Sequence, residues 1–400
     1  MRSPRCATPT AESRAAESRA AENRAAENRD AAGVHLRYSF EADEQRGAAL
    51  GNPLFELLAA VLDTGSIRHA ALALGTSYRY VWGSLRKWEQ QLGEPLILWA
   101  QGQRARPTQF AERLLWAERR ARTRMQPHIE ALRSGLARVL AEARDPRYQL
   151  LTLRASHDIA LPLLQQHAAN TADLHLDIGF QGSVDALRAL NEGQCLVAGF
   201  HVPALEGAAP SFAKALKPLL RPKTHTLIGC CRRTQGLMMR REHAAQLRTL
   251  ADVARHDMRF VNRQQGSGTR MLVDHLMKEL AIAPSALSGY AEHTEHTHVA
   301  VALCIASGVA DAGIGVEAAA LEFGLHFVPL AEENYFLACL TESAAHPGVQ
   351  RLRAVLAGDR WREILAYLPG YRPVAAPGRL LAVEETLPWW RTGRKRDRGI

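Results

Sequence analysis

Between residues 65 and 91 the apolar positions form two short helical stripes separated by a glycine. In GSIRHAALALG, Ile67, Ala70, Ala71 and Leu74 recur at the three-and-four spacing that lines one helix face. Ser66 stands ahead of that face as an N-cap, and Gly75 follows where a left-handed residue can turn the chain. In the next stretch Ser77 caps a second helix whose Val81, Leu85 and Trp88 point inward, leaving Tyr78, Arg79, Tyr80, Arg86 and Lys87 outward. A packed helix pair that presents a polar, aromatic and basic face is what a helix-turn-helix brings to a DNA major groove. An ordinary helical hairpin fits the same spacing.

The residues that follow extend the pattern. Gly93 stops the helix, Leu96–Trp99 reads as a short apolar strand, and Gln101-Gly102 as a turn. Arg104 and Arg106 come next, then Thr108 as a cap for another helix. A hairpin wing with arginines beside a recognition helix supplies contacts to phosphates that do not depend on base sequence. From Phe110 to Ala143, Leu114, Leu115, Ile129, Leu132, Leu136, Val139 and Leu140 keep helical spacing, with Pro127 expected to bend or divide the helix. Such a stripe packs on a partner subunit or on the chain's own wing domain. Asp145-Pro146 ends it.

From residue 148 strand-like runs (LLTLRAS, LHLDIGF, CLVAGFHV, THTLIGCC, RFVNR, FVPLA, YFLACL) alternate with helical ones, which predicts an α/β domain with a mostly parallel sheet. Polar groups gather where strands are expected to end: Ser156-His157-Asp158, Gly182-Ser183, His201, Arg233-Thr234-Gln235 and Asn262 to Arg270. Strand ends that lead into helix starts are where α/β folds hold ligands, often anions. In FVNRQQGSGTR a strand runs into Gly266, Ser267, Gly268 and Thr269, with a helix from about Arg270. Backbone amides, two hydroxyl donors and a helix dipole there would hold an oxyanion or carboxylate; a tight structural turn is the alternative. The glycine spacing and the missing Lys-Ser/Thr pair exclude a nucleotide P-loop.

Composition narrows the class. The chain has 400 residues, 47% of them hydrophobic, and a formal charge of +9, which predicts more than one domain and favours polyanion partners. Residues 51–147 hold 15 Lys and Arg against 9 Asp and Glu. The six cysteines form no metal-type pairs, no apolar run reaches membrane-spanning length, and a signal-peptide core is missing, so a cytoplasmic protein is expected. His293 and His296 stand three apart in EHTEHTH without a matching ligand set elsewhere, so neither a metal nor a cofactor is expected. Ser156-His157-Asp158 lacks a nucleophile elbow, which argues against catalysis.

On GSIRHAALALGTSYRYVWGSLRKWEQQLGEPLI and the Arg/Thr-containing wing, residues 53–125 resemble the winged helix-turn-helix of molybdate-responsive (ModE-type) and LysR-type transcriptional regulators, with the recognition helix nearer the molybdate-responsive branch. The wing departs from that branch: Gln101-Gly102-Gln103 replaces a longer glycine run and Pro107 an apolar strand residue. On SHDIAL, GSVDALRALNEG, RRTQGL, FVNRQQGSGTR, GYAEHTEHTHVAVALCIASGVADAGIGVEAAA and LAEENYFLACL, residues 150–345 resemble the periplasmic-binding-protein-like domain found fused to such units and to molybdenum-cofactor biosynthesis proteins. The resemblance implies two lobes closing on a small ligand, with Ser156, Ser183, Ser267, Thr269 and Arg263 or Arg270 facing the cleft. It also implies dimerisation through the long helix.

The expected organisation is a low-complexity tail (1–46, with the repeat AESRA/AENRA over 10–31), a mainly α winged helix-turn-helix (47–109), a linker and dimerisation helix (110–147), a two-lobed α/β ligand-sensing domain (148–372) and a basic tail (373–400). The expected function is a homodimeric regulator that binds double-stranded DNA and responds to a small molecule or oxyanion, molybdate or tungstate among them. Lobe closure would act through the linker helices on half-site spacing. Ser77, Tyr78, Arg79 and Tyr80 are assigned to bases and groove, Arg86, Lys87, Arg104 and Arg106 to phosphates, with Ser66 and Arg68 in the same DNA-contacting set. Ser156, His157, Asp158, Ser183, His201, Asn262, Arg263, Ser267, Gly268, Thr269, Arg270 and His298 are assigned to the effector. The rival readings are an intracellular oxyanion-storage protein and a molybdenum-cofactor protein without regulatory DNA binding.

Overall fold

The computed structural model describes residues 52–98, 104–144, 149–204 and 209–390. The expected N-terminal repeat, the wing turn at Gln101-Gly102, the Asp145-Pro146 boundary and the terminal RTGRKRDRGI lie outside the described residues. The chain divides into two compact units between Arg122 and Thr123.

The first unit starts with three helices, α1 (Pro53–Thr64), α2 (Ile67–Ala73) and α3 (Tyr78–Leu92). Each start is capped by a side chain: Asn52, Ser66 and Ser77 accept from Leu54 N, His69 N and Tyr80 N. Gly75 at φ 63° makes the turn between α2 and α3, and Gly93 at φ 69° ends α3. Ile67, Ala70, Ala71, Val81 and Leu85 join Leu57, Leu58 and Val61 in one core, with Trp88 against its edge. Leu74, expected inward, is 39% exposed: it stands at the C-cap of α2, past the last turn that packs. Strands β1 (Ile97–Leu98) and β2 (Arg106–Pro107) pair antiparallel, and Thr108 caps the next helix by accepting from Ala111 N.

That helix, α4 (Gln109–Arg144), is a single element through Pro127, so of the expected bend or division the division does not occur. One missing donor and the ring clash are absorbed in a long run of strong helix formers. No described helix is long and apolar enough to cross a membrane.

The second unit is built on one sheet in the order β4-β3-β5-β10-β6-β9-β7-β8, with β11 and β12 on β6. Its first half holds β3 (Gln149–Ala155), α5 (Ala160–Ala172), β4 (Leu174–Phe180), α6 (Ser183–Asn191), β5 (Val197–Pro203) and α7 (Ala209–Leu216). Then come β6 (His225–Met239), α8 (Leu250–Arg255), β7 (Phe260–Arg263), α9 (Gly268–Glu279), β8 (Thr294–Glu295), α10 (His298–Ala306) and β9 (Ala312–Val316). The chain closes with α11 (Glu317–Glu322), β10 (His326–Leu340), α12 (Pro347–Ala357), α13 (Asp359–Ala366), β11 (Tyr371–Pro373), β12 (Leu380–Ala382) and α14 (Val383–Thr386).

The sheet is mixed and not mostly parallel: β3 pairs parallel with β4 and β5, and β7 with β8 and β9, while every pairing of β6 and β10 is antiparallel. The reason is that β6 and β10 are long enough to serve two half-sheets. Residues Glu333–Ala338 of β10 pair with β5, and Gln235–Met239 of β6 pair with β9. This gives the two-lobed α/β architecture, with two strands crossing between lobes. Alternating residues of those strands enter different cores, Tyr335, Leu337 and Cys339 on one face and Phe336 and Ala338 on the other.

The expected tail from residue 373 is corrected as well. β12 pairs with β6, and Val383, Leu387 and Trp389 are buried in the second core, so ordered structure continues to Trp390. Residues 373–390 hold one Arg and two Glu, and the basic character of the expected tail comes from residues 391–400.

Candidate functional site: DNA-facing surface and buried effector cluster

On the first unit, Tyr78, Arg79, Tyr80, Arg86 and Lys87 are exposed along α3, Arg68 is exposed on α2, and Ser66 and Ser77 are engaged as caps. Trp82, not among the residues expected to contact DNA, is 42% exposed and stands one turn from Tyr78 and one from Arg86. The Arg86 guanidinium lies over its ring at 5.4 Å and also pairs with Glu89 at 3.1 Å. Glu89 Oε1 accepts from Leu96 N and Ile97 N, which ties the end of α3 to the first wing strand. Arg104 and Arg106 are exposed on the wing. The face combines aromatic planes, an arginine at the helix start and basic groups at its edges.

On the second unit, the crossing of β6 and β10 carries a buried charge cluster. Arg233 donates to Asp158 Oδ2 at 2.6 Å and through Nε and Nη2 to Glu333 Oε2 at 3.0 and 2.9 Å. Gln235 Nε2 donates to the same Glu333 oxygen at 2.7 Å and to Thr269 Oγ1 at 3.0 Å. Tyr371 donates to Asp158, and Ser156 Oγ meets His201 Nδ1 at 2.9 Å and accepts from Ser183 at 3.3 Å. Burial alone would raise the Asp158 carboxyl, but Arg233 above all and then His201 hold it well below the usual carboxylate range. Burial likewise opposes the charge of Arg233, and Glu333 and Asp158 outweigh it.

Arg263, at the end of β7, differs. Its Nη2 donates to His296 O and its Nε to Gln264, while Nη1 is buried without a hydrogen-bond partner. Among the described residues no carboxylate pairs with it. Burial, then repulsion by Arg233, lowers its pKa to about 9, so it remains a cation at neutral pH. The histidines around it are pushed the other way from charge: His157 and His201 fall to about 4, through burial first and then Arg263 or Arg233 respectively. His298, the first residue of α10, lies well below its ordinary value for the same reasons. Other buried atoms here lack hydrogen-bond partners too: Gln235 Oε1, Glu333 Oε1, His157 Nδ1 and His298 Nδ1, while His201 Nε2 stands 3.7 Å from Asp158 Oδ2.

The remaining expected residues divide into free and engaged. Ser267 caps α9, accepting from Arg270 N and donating to Gln264 O, so its hydroxyl is not the free donor that was expected. The helix itself begins at Gly268, two residues earlier than expected. Thr269 Oγ1 accepts from Gln235 and keeps its own proton to donate. Arg270 lies over the Tyr290 ring at 4.0 Å and pairs with Asp274, so of the two candidate arginines Arg263 is the one with an unmet group. Asn262 is spent on Tyr290 O and Arg263 N. Glu333 and Tyr371 were absent from the expected site, and Arg233 and Gln235 were named among the polar groups at strand ends without being assigned to the effector. Arg233 and Gln235 sit in mid-strand, where the sequence suggested a strand end. No group of three or more metal-ligating side chains forms among the described residues.

Two families match this sequence. Residues 53–112 match the bacterial regulatory helix-turn-helix protein family of the lysR type, and residues 164–357 match the PBP superfamily domain. The Bacillus subtilis (strain 168) protein YvgK, itself uncharacterized, is 28% identical over 217 residues, covering 54% of this chain and 69% of its own. An uncharacterized protein from the ferredoxin 2Fe-2S gene 5' region of Clostridium pasteurianum is 31% identical over 102 residues, 25% of this chain and 89% of that one. Among solved structures, a hydrogen peroxide-bound cysteine-to-serine mutant of Corynebacterium glutamicum OxyR aligns with a TM-score of 0.41 at 17% identity, over 78% of this chain and 93% of that one. The chain therefore carries a helix-turn-helix of the lysR type at residues 53–112 and a PBP superfamily domain at residues 164–357, the two parts of a DNA-binding regulator with an effector-binding domain.

Proposed function

We propose that this regulator's effector is a small anion seated on Arg263, and that its binding changes how the DNA-binding unit engages an operator. The carrying observation is the Arg263 guanidinium: buried, charged at neutral pH, without a carboxylate, and with Nη1 unmet. An unpaired buried cation is costly, and an anion offsets that cost most directly. The first turn of α9 adds a favourable helix dipole, and Thr269 adds a hydroxyl whose proton is free to donate. Molybdate-type oxyanions and organic carboxylates share this recognition chemistry.

On the DNA side, Ser77, Tyr78, Arg79 and Tyr80 enter the groove while Arg86, Lys87, Arg104 and Arg106 meet phosphates, with Ser66 and Arg68 beside them. Two copies joined through α4 present two recognition helices to neighbouring half-sites. Thermal-shift titration of the full chain with carboxylates and oxyanions tests the effector reading. Arg263→Gln is expected to raise the melting temperature without ligand, because an unpaired buried charge is gone, and to abolish the ligand-induced shift. Equal ligand shifts in the wild type and Arg263→Gln would refute it.

A further inference from the structure

We infer that the effector carries a hydrogen-bond donor, a hydroxyl or an ammonium group, in addition to its anionic group, and that this donor sits on Gln235 and Glu333. The inference rests on the anion reading of Arg263. Two buried acceptors of the cluster lack hydrogen-bond partners, Gln235 Oε1 and Glu333 Oε1, and the Glu333 carboxylate acts electrostatically on Arg263. The orientation of the Gln235 amide is fixed, because its nitrogen is committed to Glu333 Oε2 and Thr269 Oγ1. Its oxygen therefore faces a ligand as an acceptor only. Glu333 likewise spends one oxygen on Arg233 and Gln235 and leaves the other unmet.

A ligand able to accept but not to donate satisfies Arg263 and leaves both oxygens stranded in a desolvated place. Deprotonated molybdate, tungstate and sulfate are of that kind. A carboxylate whose other end donates to Glu333 meets unpaired atoms of both signs. Sites built to hydrogen-bond a hydroxyl or amine reject the analogue that lacks it, because their own polar groups then go unpaired.

The test is titration calorimetry of the full chain with two matched series, propionate, lactate and alanine, and succinate, malate and aspartate, together with molybdate and sulfate. Within at least one series the hydroxyl or ammonium member is expected to bind about tenfold or more tightly than the plain acid. In Gln235→Met, checked for a wild-type circular dichroism spectrum, the ratio of affinities between the donor-bearing member and the plain acid is expected to collapse towards one. Plain acids, molybdate or sulfate binding as tightly as the donor-bearing members would overturn the inference; the anion reading survives if Arg263→Gln abolishes that binding. Binding that persists in Arg263→Gln, or no binding by any probe, refutes the anion reading and this inference with it.

Discussion

Arg233 and Arg263 are both buried near the strand crossing, and their difference in partners sets their roles. Arg233 has a carboxylate on either side and is a fixed part of the scaffold. Arg263 has backbone and amide acceptors only, so a ligand can complete it. The imidazoles nearby report on the same desolvation. Unfolded histidine titrates near 6.5, whereas His201 and His157 in the fold titrate near 4. Between those values the unfolded chain holds protons that the folded chain does not, so stability falls as pH drops from about 6.5 to about 4 and is level with respect to these groups above that window. Thermal melts across that range check it; a melting temperature unchanged from neutral pH down to about 4 would contradict the buried, neutral assignment. Arg79→Ala is expected to lose discrimination between operator and random DNA. Arg104→Ala is expected to weaken both and to flatten the salt dependence. Gel shifts at several salt concentrations separate the two.

Residue roles are legible in the sequence only where they are local. Ser66 and Ser77 read as caps because a cap depends on the next three residues. Glu333 does not read as a site residue, because a charge within a strand looks the same whether it faces water or a buried partner 100 residues away. Trp82 is hidden for the opposite reason, an apolar residue beside Val81 that nevertheless points out.

Among elements, the helix-turn-helix is the most readable, since periodicity, caps and the Gly75 turn all agree within about thirty residues. Leu85 of α3 is fully enclosed in the core that α1 and α2 share with it. Leu85→Ala is expected to cost about 2–5 kcal/mol of that unit's stability, read by denaturant unfolding. The long strands β6 and β10 are the least readable. Their runs look like ordinary short strands, because the sequence does not show that one strand pairs with different neighbours along its two halves. The same long-range pairing conceals β12, Val383, Leu387 and Trp389. A chain ending at residue 372 is expected to lose cooperative unfolding, since it leaves part of β6 and the second core uncovered. A melting curve matching that of the full chain would contradict the assignment of this segment to the fold.

For the whole molecule, the question is how a ligand on Arg263 acts on DNA binding. Arg263 is paired in register with Glu295 across β7 and β8, and Arg124 of α4 donates to Glu295 at 2.5 Å. Cys304 donates to the same carboxylate. A single register pair therefore separates the proposed ligand contact from an ion pair to the long helix that follows the wing. Glu295→Gln is expected to keep anion binding and weaken the DNA response. The most direct measurement is a fluorescence-anisotropy titration of the full chain on its own upstream DNA, with and without an anion shown to stabilise it thermally. The anion is expected to change affinity or footprint, and Arg263→Gln to bind the DNA but ignore the anion. Identical DNA binding with and without every stabilising anion would contradict a ligand switch seated on Arg263.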